Sequence, residues 1–99
     1  MRYAIEYSAD AETHLAALTA AERRRVFDEV DRQLVHQPTA ATRNRKKLRA
    51  NVLAEWELRL GNLRVYYLVR DQVTPVVSVV AVGRKVCDRL FIGGVEVTI

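Results

Sequence analysis

Residues 54–70 constrain this chain more than any other stretch. Ala54, Trp56, Leu58 and Leu60 alternate with Glu55, Glu57 and Arg59, and Leu63, Val65, Tyr67 and Val69 recur at the same period in the run that ends at Arg70. Only Gly61 and Asn62 separate the two runs. A period of two is that of a half-buried strand, and a Gly-Asn pair between such runs closes a hairpin through a type II′ or I′ turn. A two-residue loop fixes the register: Leu60 faces Leu63, Arg59 faces Arg64, Leu58 faces Val65, Glu57 faces Tyr66 and Trp56 faces Tyr67. Trp56, Leu58, Val65 and Tyr67 then form the core side. Glu55, Glu57, Arg59, Arg64 and Tyr66 share the other face. Arginines directly opposed across a sheet cost roughly 0.2–1 kcal/mol. Folding gains nothing from that pairing, whereas an incoming phosphate would, so an anion site is expected there. The structural alternative is neutralisation of both arginines by Glu57 and Glu55.

The rest of the chain supplies elements around this hairpin. Residues 3–7 alternate and read as a short strand. Ser8-Ala9-Asp10 offers N-cap side chains, and Ala11, Leu15 and Leu18 follow at helical spacing. Thr19-Ala20-Ala21-Glu22 has the form of a capping box, which starts a second helix in a new direction. Val26, Phe27, Val30 and Leu34 are its apolar stripe, Arg23, Arg24 and Arg25 lie on its wet side, and Pro38 stops it near His36. Val76 to Val82 is almost wholly apolar and predicts a central strand covered on both faces, ended by Gly83. A last short strand is expected over 95–98, after Gly93-Gly94. The order is β-α-α-β-β-β-β, an α+β fold: an antiparallel sheet with a two-helix hairpin packed on one face. At 99 residues a single domain spanning 1–99 is expected.

Arg43-Asn44-Arg45-Lys46-Lys47-Leu48-Arg49 places five positive charges in seven residues of a chain whose net charge is only +4, so the basicity is local. A folded scaffold can aim such a patch at RNA or an acidic protein. The sequence pI near 9.6 agrees. No apolar run reaches the roughly 18 residues of a membrane span, and the N-terminal residues lack the apolar block of a signal peptide. Cys87 is the only cysteine, so no internal disulfide forms and a cytoplasmic setting is expected. It is read as inert. His14 and His36 are read as surface residues, and Trp56 as core. No metal motif is present and no cofactor is expected.

The grouping of Glu57 with arginines suggests a reaction. RNA is cut when its own 2′-OH attacks the neighbouring phosphate, which needs a base, positive charge on the phosphorane and an acid for the leaving oxygen. Glu57 is the candidate base, Arg64 and Arg84 the stabilisers, and Lys85 or Tyr66 the proton donor. Arg43, Arg45, Lys46, Lys47, Arg49, Arg59 and Tyr66 are the candidate RNA-binding residues.

Taken in order and spacing, Tyr3-Ala4-Ile5, the helical hairpin with the basic run, the segment from Trp56 to Tyr67, and Val82-Gly83-Arg84-Lys85 resemble the RelE/ParE superfamily of toxins from type II toxin–antitoxin systems. The resemblance covers nearly the whole chain. It implies a RelE-like fold and a small cytosolic toxin that a cognate antitoxin wraps and silences. In the RelE branch the toxin enters the ribosomal A site and cuts mRNA; in the ParE branch it inhibits DNA gyrase and is not a nuclease. Arg64 stands where the RelE set has its hairpin arginine, and Arg84 and Lys85 where it has a basic pair. Glu57 stands in place of the strand lysine, Glu55 in place of the lysine two residues earlier, and Phe91 in place of the C-terminal tyrosine. The leading expectation is a ribosome-dependent, mRNA-cleaving endoribonuclease (mRNA interferase). The alternatives are a gyrase-inhibiting toxin of the ParE kind and a degenerate toxin that mainly binds its antitoxin.

Overall fold

A computed structural model describes residues 1–99. The elements run β1 (Ala4–Tyr7), α1 (Ala9–Ala16), α2 (Ala20–Leu34), β2 (Arg45–Lys47), β3 (Trp56–Leu60), β4 (Leu63–Arg70), β5 (Val76–Val86), β6 (Arg89–Ile92) and β7 (Val95–Val97). Both helix starts follow from their caps. The Ser8 hydroxyl accepts the Ala11 N–H at 3.1 Å. Thr19 and Glu22 form the full capping box, each side chain accepting the other's backbone N–H at 3.1 and 3.0 Å. No helix is long and apolar enough to cross a membrane.

The β3–β4 hairpin has the expected register at all five pairs, from Trp56↔Tyr67 to Leu60↔Leu63. Gly61 has φ +62° and Asn62 does not share a positive φ, which is the type II′ pattern. The sheet order is β2-β3-β4-β5-β6-β7. β5 is its spine: β4 pairs antiparallel with it from Val76 to Arg84, while its other edge is divided between β1, parallel over Val76–Val79, and β6, antiparallel over Gly83–Val86.

Three expectations change here. The basic run contributes an edge strand, β2, instead of remaining a loop. β5 continues past Gly83 to Val86 and folds back as β6, which the sequence pattern hid. Gly83 does not end the strand but lets β6 approach: a Cβ there would stand 2.7 Å from the Phe91 carbonyl oxygen and 2.9 Å from Ile92 Cγ1. Finally, β1 pairs parallel, so the sheet is mixed.

The main core lies between helices and sheet. Ala11, Leu15, Val26, Val30 and Leu34 meet Trp56, Leu58, Leu60, Leu63, Val65, Tyr67, Val77, Val79 and Val82. A smaller cluster of Ala54, Tyr66, Ala81, Leu90 and Ile92 covers part of the opposite face. Between the end of β1 and the start of β6, residues 80–82 of β5 have no strand on that edge. α1 serves them instead: the Ser8 hydroxyl donates to the Val80 carbonyl at 3.2 Å, and His14 Nδ1 accepts the Val82 N–H at 3.2 Å. His14 is therefore half-buried and structural, not a free surface residue.

Gly83→Ala should lower the urea midpoint, costing about 1–3 kcal/mol, because the clash is with backbone that cannot rotate away. An unchanged midpoint in equilibrium unfolding would show that β6 shifts freely.

Candidate functional site

Two-residue alternation sends Glu57 and Tyr66 to the face away from the helices, where the side chains of β2, β3, β4 and β5 meet. Glu57 is only 8 % exposed and Tyr66 1 %. The Tyr66 hydroxyl donates to Glu57 Oε2 at 3.0 Å, and Arg59 Nε donates to Oε1 at 2.8 Å. Burial, then the adjacent carboxylate, push the Tyr66 phenol far up, so it stays protonated as a donor. Around the buried Glu57–Tyr66 pair and the more exposed Arg59 opens a cleft of about 280 Å³. Lys46 enters it from β2, in register with Glu57, and Lys85 enters from β5. Neither ammonium group has a carboxylate within ion-pair distance. Leu90, Val97 and Ile99 supply apolar wall, and Arg89 and Glu96, 3.9 Å apart, a charged rim.

Of the expected site residues, Lys46, Glu57, Arg59, Tyr66 and Lys85 are thus brought together. The others are not. Arg84 points to the opposite face: its guanidinium donates to both Glu22 oxygens at 2.6 and 2.7 Å, pinning β5 to the first turn of α2. Arg64 folds back on the hairpin turn, donating to the Gly61 and Leu63 carbonyls at 2.6 and 2.9 Å. The expected convergence of Arg59, Arg64 and Arg84 on one phosphate does not occur, because Glu57, the turn and Glu22 each claim one. Arg45 also departs from its expected role. It shares the helix-side parity of Leu58 and donates to the Gln33 carbonyl at 3.0 Å and to that of Gln37, satisfying the C-terminal end of α2. The Tyr66 ring is too buried to stack on a base. Arg43, Lys47 and Arg49 are exposed and free of acidic partners.

A separate groove of about 430 Å³ lies on the helix side, lined by His14, Leu18, Val82, Arg84, Val86 and Phe91 among others. Phe91, at the position the family resemblance gives to tyrosine, faces this groove and not the Glu57 cleft.

The chain matches no protein-family model and no curated protein. Among solved structures it is similar to a chain of the toxin–antitoxin complex RelBE2 from Mycobacterium tuberculosis, at 22 % identity and a TM-score of 0.69, over 86 % of this chain and 100 % of that one. The fold is RelE-like. At that identity the likeness fixes architecture, and the chemistry must be argued from the cleft.

Chemically the cleft offers a buried carboxylate, a protonated phenol and two unpaired ammonium groups. That set attracts an anion and can move protons beside it. The sequence signal for Lys85 was present but ambiguous, since Arg84 and Lys85 are adjacent and only strand parity separates them.

The Glu22–Arg84 pair gives a pH test. The Thr19 N–H, then Arg84, hold the Glu22 carboxyl below the ordinary carboxylate value of 4.5. A depressed folded value means that the contribution is present above the unfolded value and fades as pH falls through the folded one. The urea midpoint should fall on acidification below about pH 4.5, and fall less in Arg84→Ala. Equal acid slopes in the two chains would mean that the pair adds no stability.

Proposed function

We propose that this chain is the toxin of a type II toxin–antitoxin pair, silenced by a cognate antitoxin, and that it cuts mRNA in the ribosome. The observation that carries this reading is the cleft in which Glu57 and Tyr66 stand between the unpaired Lys46 and Lys85, on a RelE-like fold. Glu57 takes the proton from the 2′-OH as its oxygen bonds to phosphorus. Lys46 and Lys85 bear the charge of the phosphorane. Lys85 gives a proton to the 5′-oxygen as the P–O5′ bond breaks, leaving a 2′,3′-cyclic phosphate and a 5′-hydroxyl. Arg43, Lys47 and Arg49 bind the backbone beyond the cleft.

One observation favours a second reading. Both Glu57 oxygens are already engaged, and Arg84 is neutralised by Glu22. A binding-only toxin, directed at DNA gyrase or restricted to its antitoxin, needs neither group free.

Induced expression separates them. The nuclease reading expects new 5′ ends within transcripts on ribosomes, and Lys85→Ala or Glu57→Gln should slow cutting by about 10²–10³-fold while the protein stays folded. Intact transcripts with gyrase-linked DNA breaks would select the gyrase inhibitor. Intact transcripts without breaks, with antitoxin binding retained, would select the binding-only toxin.

A further inference from the structure

The Glu57 cleft is divided by charge. Its cations Lys46, Arg59 and Lys85 come from β2, β3 and β5, whereas Asp88 lines it from the two-residue turn that joins β5 to β6. Asp88 is exposed, and its carboxylate has no cation within ion-pair distance. An apolar strip adjoins both groups. The ladders set Lys85 opposite Leu90, and Leu90 opposite Val97, so one row across β5, β6 and β7 runs from an ammonium group to two apolar side chains. All three line the cleft together with Asp88. A carboxylate that makes no ion pair in the fold repels a phosphate brought to this cleft. It rewards a ligand that is anionic at one end and carries N–H donors at the other, because an ionised carboxylate only accepts. A nucleotide has that polarity, with the apolar face of its base between the two ends.

The four bases differ in what they offer such a group. Guanine presents two adjacent donors, N1–H and the N2 amino group, which match the two oxygens of one carboxylate. Cytosine and adenine set a ring-nitrogen acceptor beside their amino group, and uracil flanks its N3–H with carbonyl oxygens. Each of these turns a lone pair toward the carboxylate, which discriminates against it. We propose that Asp88 is a base-reading residue: it accepts the N1–H and N2–H donors of a guanine whose face lies against Leu90 and Val97 and whose 3′-phosphate meets Lys85. The assignment rests on the reading of the cleft as an RNA site, and adds to it a preference for guanine on the 5′ side of the phosphate that is cut.

The four nucleoside 3′-monophosphates are titrated into isotope-labelled protein while the methyl resonances of Leu90 and Val97 are followed. 3′-GMP should bind about tenfold more tightly than the other three. Inosine 3′-monophosphate, which keeps N1–H but lacks the amino group, should fall between. Asp88→Asn leaves a turn-forming residue in place but turns an amide donor toward the donors of the base, so it should bring the four affinities together with the fold intact. Equal binding of the four by the unaltered protein, a guanine preference that survives Asp88→Asn, or no methyl shift with any nucleotide overturns the assignment. Transcripts from induced cells separate this outcome from that of the reading beneath it. If the nucleotides bind alike while transcripts on ribosomes are still cut, Asp88 reads no base and the nuclease reading stands. If guanine is preferred through Asp88 and transcripts stay intact, the base site holds and the nuclease reading fails.

Discussion

The hydrogen bonding of β5 along both of its edges is the constraint on which the molecule depends. Its eleven residues meet β4 on one side and, on the other, β1, two α1 side chains and β6 in succession. No other strand touches as many elements. β1 and β6 share one edge of β5 and leave residues 80–82 between them without a strand partner, where a buried gap would leave backbone groups unsatisfied. Ser8 and His14 close it. The N-cap of α1 is thus also a sheet residue in function, and the docking of the first helix is fixed by polar groups as much as by Ala11 and Leu15. The Nδ1 acceptor requires a lone pair on that nitrogen, which assigns the proton of the neutral ring to Nε2.

The same strand decides the electrostatics of the site. Val77 and Val79 face the helices, yet so does Val82, because the register with β4 shifts between Tyr66 and Tyr67 and leaves Val80 as an extra residue. A bulge of one residue inverts the parity of everything beyond it. Without it Lys85 would face α2 and Arg84 the cleft. With it, Arg84 meets Glu22, and Lys85 lines the cleft that holds Glu57 and Tyr66. Which of Arg84 and Lys85 lines the cleft therefore follows from one inserted valine.

This also explains how much could be read from the residues alone. The hairpin was legible because a two-residue loop permits one register, and the capping box because its two partners are local. β6 and the bulge were not. Val76–Val82 is apolar at every position but Ser78, so it carries no alternation from which an inversion could be detected, and Gly83 resembles a terminator although its role is close approach. The cleft was half legible for the same reason. Glu57, Arg59 and Tyr66 could be placed from hairpin parity, and Lys46 and Lys85 joined them only through tertiary pairing. Arg45 and Arg84 were misplaced because a cation's partner is a matter of distant geometry: a helix terminus in one case, a capping glutamate in the other.

The opposed arginines of the hairpin now have a physical account. Like charges facing each other across a sheet are tolerated when each is drawn away, and here Glu57 pulls Arg59 toward the cleft while the turn carbonyls pull Arg64 toward the tip. The effect on the cleft is large. An unpaired Glu57 about 4 Å from a phosphate charge would repel it by about 4 kcal/mol at the effective dielectric of a protein surface. The Arg59 Nε donor on Oε1 offsets most of that repulsion, and the rest of its guanidinium still lines the cleft. With Glu57 so neutralised, Lys46 and Lys85 set the sign of the field in the cleft, and on the proposed reading the carboxylate stays beside the anion as a proton acceptor instead of expelling it.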